Sequence, residues 1–303
     1  MDVLSDAIEM MRTGRAVSNR MRLGSRWRYR LMPYDGVGFH VLLRGSGWLI
    51  VDGAEPAPIN AGDIVLVPHG SSHVLSDSPS AAGALPFDAA VEEPDGPVEF
   101  LCGKYRLDRS RAHPLLAGLP EVIHLPAHVG RHPELRAAIE LLGGEVHADR
   151  PGRHSVLTGL LDLLLVYLVR AWLDQSAESG WPRALRDPEV AAALEALHTD
   201  PAAPWRADTL AARVGVSRAT LVRRFTTLIG QPPMAYLTWW RMTTAARLLR
   251  DSDLPLPNIA RQVGYGSPFS FSHAFKRQFG VAPGQYRSSR PAQDSDPDAS
   301  RAG

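Results

Sequence analysis

The chain has 303 residues, of which 45% are apolar and 21% charged, the balance of a globular protein long enough for two domains. A single cysteine excludes an internal disulfide framework and fits a reducing, cytoplasmic setting. The net charge of +1 conceals a split: residues 1–182 carry 17 Lys and Arg against 22 Asp and Glu, and residues 183–290 carry 15 against 7. A basic unit behind an acidic one is the electrostatic footprint of a nucleic-acid binder.

Asp2, Asp6 and Glu9 interrupt the apolar residues of the N-terminus, so no signal peptide is expected. Residues 20–110 read as β structure. Trp27-Arg28-Tyr29, Phe39 to Leu43, Trp48 to Val51 and Ile64 to Val67 are short apolar runs separated by turn signals, the pattern of a barrel or sandwich. Residues 76–97, rich in Ser, Pro, Ala and Asp, predict a loop or a frayed hairpin. Helical spacing begins near residue 133, over Glu134 to Leu142 and Ser155 to Leu173. These helices serve as a bracket on the barrel, as a dimer interface, or as both. The second is apolar enough to raise the question of a membrane span, but Thr158, Asp162 and Arg170 lie in or beside its interior and Asp162 would be costly in lipid. Residues 174–187 read as a polar linker, and 291–303 as a disordered tail.

Residues 185–290 are helical throughout in pattern and contain an internal echo. Leu210-Ala211 precedes Val214-Gly215, and Ile259-Ala260 precedes Val263-Gly264; each glycine is followed by a polar turn and an amphipathic stretch, SRATLVRRFTTLIG (217–230) and SPFSFSHAFKRQFG (267–280). The second copy has one extra residue in its turn. This is the spacing of a helix-turn-helix: a first helix stopped by glycine, a serine N-cap, and a second helix with one apolar stripe (Leu221, Phe225, Leu228; Phe271, Phe275, Phe279) and one free face. On the free faces lie Arg218, Ala219, Val222 and Arg223, and Phe269, Ser270, His273 and Arg277, the candidates for base edges. Arg223 heads them because arginine pairs bidentately with guanine. Arg224, Arg241 and Lys276 are assigned to phosphate. Between the units, residues 232–252 predict a helix about 27 Å long that could set the recognition helices near one turn of DNA apart, with Trp239, Trp240 and Met242 in the core.

Residues 188–287 closely resemble the DNA-binding domain of AraC/XylS-type transcription regulators, through LAARVGVSRATLVRRF, GQPPMAYLTWWRMTTAARLL and IARQVGYGSPFSFSHAFKRQFGVAPGQYR. The resemblance covers about a third of the chain. It implies sequence-specific binding to promoter DNA, a homodimer, and RNA polymerase as a partner if the protein is an activator. Val222 and Phe269 depart from it, being apolar where many members carry polar readers, and Leu256 stands where a capping residue is usual.

GDIVLVPHGSSH (62–73) matches the second motif of a cupin barrel, with Gly62, Pro68, Gly70 and His73 at the motif spacing. The first motif is incomplete. If Gly45 is its final glycine, Gly38 stands in place of its glutamate, and the two histidine positions fall near Met32 and Tyr34. That removes the usual three-histidine, one-carboxylate site and speaks against a metal-dependent cupin enzyme. His40, two residues past Gly38, shares its inward face. His40, His73 and Cys102 are therefore the candidate ligands for zinc or another borderline metal, or core residues; a low-pKa Cys102 would instead sense oxidants. His69 is expected to be exposed. His124, His128 and His132 recur every four residues, but Pro126 and Pro133 break the helix that would align them.

The expected architecture is α+β: a cupin-like barrel over 1–130, a helical bracket and linker over 131–182, a double helix-turn-helix domain over 183–290 and a tail. The expected protein is a cytoplasmic, nucleoid-associated regulator, not an enzyme and not in a membrane. An architectural DNA binder without signal input is the rival from another class.

Overall fold

The computed structural model describes residues 3–11, 17–106, 113–126, 132–146, 150–176 and 180–289. They form two compact units, one of Met11–Ala177 and one of Met1–Met10 with Glu178–Gly303. His128 and the tail 291–303 lie outside the described residues.

Among the described residues a short helix, α1 (Val3–Met11), precedes ten strands: β1 (Val17–Leu23), β2 (Arg28–Leu31), β3 (Gly36–Arg44), β4 (Ser46–Ile50), β5 (Ala57–Asn60), β6 (Ile64–Val67), β7 (His73–Ser76), β8 (Leu85–Pro86), β9 (Val98–Arg106) and β10 (Ile123–Leu125). One sheet has the order β1-β9-β3-β6-β10 and the other β5-β4-β7-β2-β8, with antiparallel neighbours except β2 and β8. Alternation along the strands sorts the side chains. Leu42, Val65, Val67, Phe100 and Cys102 of the first sheet meet Leu49, Ile59 and Leu75 of the second in one apolar interior. The opposite face of the first sheet is also covered: Phe39 packs on Tyr105, whose hydroxyl donates to the carbonyl of Leu161.

That covering comes from α3 (Pro133–Glu145) and α4 (Arg153–Gln175), which follow the single-turn α2 (Pro114–Ala117) and pack on each other. Among the described residues α4 alone is long and apolar enough to cross a membrane. It buries Leu161, Leu164, Leu165, Leu168 and Trp172 within its own unit.

The second unit is helical: α5 (Gly180–Ala184), α6 (Pro188–Thr199), α7 (Ala207–Arg213), α8 (Arg218–Ile229), α9 (Pro233–Asp251), α10 (Leu256–Gln262), α11 (Pro268–Phe279) and α12 (Pro283–Ser288). The polar linker expected over 174–187 holds α5, whose Trp181 and Ala184 are buried; a five-residue helix is too short to show a period. A larger difference lies at the other end of the chain. Residues 1–130 read as one barrel domain, yet α1 belongs to the helical unit. Val3, Leu4, Ala7 and Ile8 are buried there. Asp6 accepts a 2.8 Å hydrogen bond from Nδ1 of His198, and the Nε2 of the same ring lies 2.7 Å from the Tyr236 hydroxyl. His198 also stacks on Trp240 at 3.8 Å. Nine residues with an apolar face show that a helix will dock, but not on which core.

Candidate nucleic-acid interface and barrel cluster

Each recognition helix is built by local rules. In the first unit α7 ends at a turn whose Gly215 has φ +75°. Ser217 then caps α8, its hydroxyl accepting from the Thr220 amide at 3.2 Å, and Gly230 closes the helix at φ +85°. In the second unit α10 ends at Gly264 with φ +77°, Ser267 accepts from the Ser270 amide at 3.1 Å, and Gly280 closes α11 at φ +76°. Both helices have 12 residues. Leu221, Phe225 and Ile229 anchor α8, and Phe271 and Phe275 anchor α11. Leu228 and Phe279, assigned to these stripes from the sequence, are only half-buried.

The opposite faces are open. Arg218, Ala219 and Arg223 are exposed on α8 with Val222 half-buried beside them; Phe269, Ser270, His273, Lys276 and Arg277 are exposed on α11. Ser270 spends its hydroxyl on the cap, bonding Ser267 at 3.0 Å. Two of the assigned phosphate ligands have partners inside the unit. Arg224 is engaged by Asp187 at 2.6 Å and Glu189 at 3.1 Å, which ties α8 to the start of α6. Arg241 donates to the carbonyls of Pro201 and Ala203 at 2.6 and 2.8 Å and is half-buried. Both arginines make contacts within the unit that their sequence positions do not reveal. Lys276 is exposed.

In the barrel unit the register of β3 and β9 sets His40 opposite Cys102. His40 Nδ1 lies 3.0 Å from Cys102 Sγ, and its Nε2 lies 2.9 Å from His73 Nε2. His73 Nδ1 lies 2.9 Å from the Ser71 carbonyl. A carbonyl only accepts, so Nδ1 carries the His73 proton and Nε2 is the acceptor. His40 therefore donates through Nε2, its Nδ1 accepts, and the Cys102 thiol is the donor at the far end. Every group in the chain is neutral. Burial, and then His73, hold His40 well below the ordinary histidine range. Burial lowers His73 as well, partly offset by its bond to Ser71. Burial pushes the Cys102 thiol up to about 12. That corrects the expectation of a low-pKa, oxidant-reactive cysteine.

Tyr34 joins this group. It stands at a position where the first cupin motif would place histidine, and its hydroxyl fills the space left by the absent side chain of Gly38. Burial and the nearby Cys102 raise its pKa. The Tyr34 amide donates to the Gly70 carbonyl at 3.0 Å, and Gly70 has φ +59°, with the Tyr34 backbone where a Cβ would sit. The signal in the sequence was the glycine at 38.

As arranged, the three metal candidates do not fit one ion. Cys102 and His73 lie against opposite nitrogens of the His40 ring, at hydrogen-bond distances. Among the described residues no group of three His, Cys, Asp or Glu side chains is placed to hold a metal. His69, His124 and His132 lie apart from this hydrogen-bonded chain. His69, expected to be exposed, is half-buried and bonds the Leu119 carbonyl at 2.8 Å. His124 reaches Asp63 at 3.0 Å. His132 borders a cavity of about 320 Å³ between the outer face of the first sheet and α3, lined also by Val41, Ile64, Leu125, Arg136 and Ile139. Among the described residues the His132 Nε2 is buried without a hydrogen-bond partner.

Two helix-turn-helix units on a 19-residue helix, behind a two-sheet unit with a cupin motif, define a DNA-binding regulator. The comparisons agree: the cupin family model matches residues 2–174 and a helix-turn-helix domain model matches 210–289. A putative AraC-like transcription regulator of Streptomyces lividans is 36% identical over 95% of this chain and 98% of its own length. The HTH-type transcriptional regulator MtrA of Neisseria gonorrhoeae is 31% identical with the same coverage. The solved DNA-binding domain of AdpA, in complex with a target DNA, is 36% identical over 34% of this chain and 92% of that chain, with a TM-score of 0.32. The chain belongs to the AraC-type transcription regulators with an N-terminal cupin domain.

Proposed function

We propose that the cupin unit senses a small ligand or a metal and thereby controls sequence-specific promoter binding by the helical unit. The observation that carries the DNA half is the pair of capped 12-residue helices with open basic faces. Arg218, Ala219, Val222, Arg223, Phe269, Ser270, His273 and Arg277 face the bases, and Lys276 faces phosphate. The input half is supported by the neutral chain Cys102–His40–His73, because so ordered a polar group inside an apolar barrel is disturbed by anything that enters, and by the cavity beside His132. A metal would require the histidines to part and would deprotonate the thiol itself. The protein works in the cytoplasm as a homodimer and performs no turnover. Leu141, Val156 and Leu163 on α3 and α4 are large apolar residues left exposed, 60%, 46% and 41%, and supply the dimer contact. RNA polymerase is a partner if the protein activates.

The test has two arms. Duplexes selected by the full-length protein from a randomised pool should bind far more tightly than unselected DNA; equal affinity would leave an architectural binder. Metal content is then measured in protein purified without chelator, beside a Cys102→Ser, His73→Ala variant, and promoter affinity is measured in both. About one equivalent of zinc or iron, lost in the variant, makes the cluster a metal sensor. If no barrel variant and no treatment of the barrel alters promoter affinity, the coupling is wrong.

A further inference from the structure

Phe269 is the outlier of the helical unit. Phe225, Phe271 and Phe275 are fully buried and Phe279 is half-buried, whereas Phe269 is 80% exposed. A scattered exposed apolar residue is ordinary on a protein surface, so its position has to carry the meaning. It is the second residue of α11, after the Ser267 cap and Pro268, and the first turn of a recognition helix is the part that reaches base edges.

The internal echo shows that the ring is not needed to build the motif. Fifty residues separate Ser217 from Ser267, Phe225 from Phe275 and Gly230 from Gly280, and the same step takes Ala219 to Phe269. The first unit forms the same capped helix with a methyl group there. The surroundings do not make an apolar docking patch either, since Ser270, His273, Lys276 and Arg277 share the face. One turn on, the His273 ring lies 6.1 Å from the Phe269 ring at 48°, a neighbour that restrains the phenyl group in its outward position.

A phenyl ring has no donor or acceptor and cannot read the nitrogen and oxygen pattern of a base pair. The apolar group that the major groove of ordinary DNA offers is the C5-methyl of thymine. We propose that the second recognition helix reads thymine through contact of Phe269 with that methyl group, flanked by Lys276 on the backbone. The two units would then read unlike bases, guanine at Arg223 and thymine at Phe269. The inference rests on α11 being a base-reading helix.

The test removes the methyl without touching a hydrogen bond. Each thymine of the selected site is replaced in turn by deoxyuridine, and the affinity of the full-length protein is measured by fluorescence anisotropy. One or two positions in the half-site covered by α11 should lose about fourfold, the effect of one buried methyl group. Phe269→Ala should bind the thymine and uracil duplexes equally while still preferring the selected site over unselected DNA, because Arg223 remains. Phe269→Leu should keep part of the discrimination. Circular dichroism of both variants should be unchanged, as an exposed side chain predicts. Uniform tolerance of uracil by the wild-type protein, or uracil discrimination undiminished in Phe269→Ala, overturns the proposal. Loss of all preference for the selected site in the wild type would instead overturn the reading of this unit as sequence-specific.

Discussion

The two units keep their polar chemistry in opposite places. In the barrel unit His40, His73 and Cys102 are 5%, 2% and 6% exposed and form a neutral chain. In the helical unit Arg218, Arg223, His273, Lys276 and Arg277 stand in solvent. A buried neutral chain answers to protons and to whatever displaces it, and little to salt. An exposed cationic face answers to salt and phosphate. The contrast is that of a buried neutral network and an exposed cationic surface.

The largest expected effect tests whether the helical unit depends on its own core. Phe275→Ala should destabilise it by about 3–5 kcal/mol, as deletion of a fully buried ring does, with the urea unfolding of the barrel unit unmoved. A parallel loss in both units would break the comparison. Arg223→Ala comes next. It should cost about 1–3 kcal/mol on the selected site and little on unselected DNA, read by competition binding, with barrel stability untouched.

Acid sharpens the contrast from the other side. His40 and His73 are depressed in the folded barrel. Their contribution is therefore complete above the unfolded histidine value, about 6.5, and is lost as pH falls below it, because the unfolded chain then takes up protons that the barrel refuses. Urea midpoints of the barrel unit should fall between pH 7.5 and 5.5, and a His40→Phe, His73→Leu variant should flatten that dependence. The smallest effect is Lys276→Ala, a modest and uniform weakening on all duplexes. The slope of log affinity against log salt should become shallower by about 0.9 if one phosphate contact is lost; an unchanged slope would remove Lys276 from the backbone contacts.

Much of the helical unit was legible because its devices are local. Ser217 and Ser267 cap within three residues, and Gly215, Gly230, Gly264 and Gly280 all adopt the positive φ that stops a helix or turns the chain. The apolar stripes repeat in register. What was not legible there depends on distant partners. Arg224 and Arg241 look like any basic residues on a helix until Asp187, Glu189, Pro201 and Ala203 are brought to them. In the barrel, alternation and the motif at 62–73 pointed His40 and His73 into one interior. Alternation does not give distances, nor say whether three side chains converge on a point or lie in a row, and it carries no information on the desolvation that raises Cys102.

The sequence by itself determined the order of elements, the two helix-turn-helix units, the cupin motif and the basic character of the second unit, because turns, caps, periods and charge act over a few residues. Only the tertiary structure decided that α1 completes the helical unit through Asp6, His198 and Tyr236, that Tyr34 occupies the space above Gly38, and that a thiol and two imidazoles form one neutral chain. Those outcomes depend on which groups are taken out of water together. Burial is a property of the packed chain, and no window of neighbouring residues contains it.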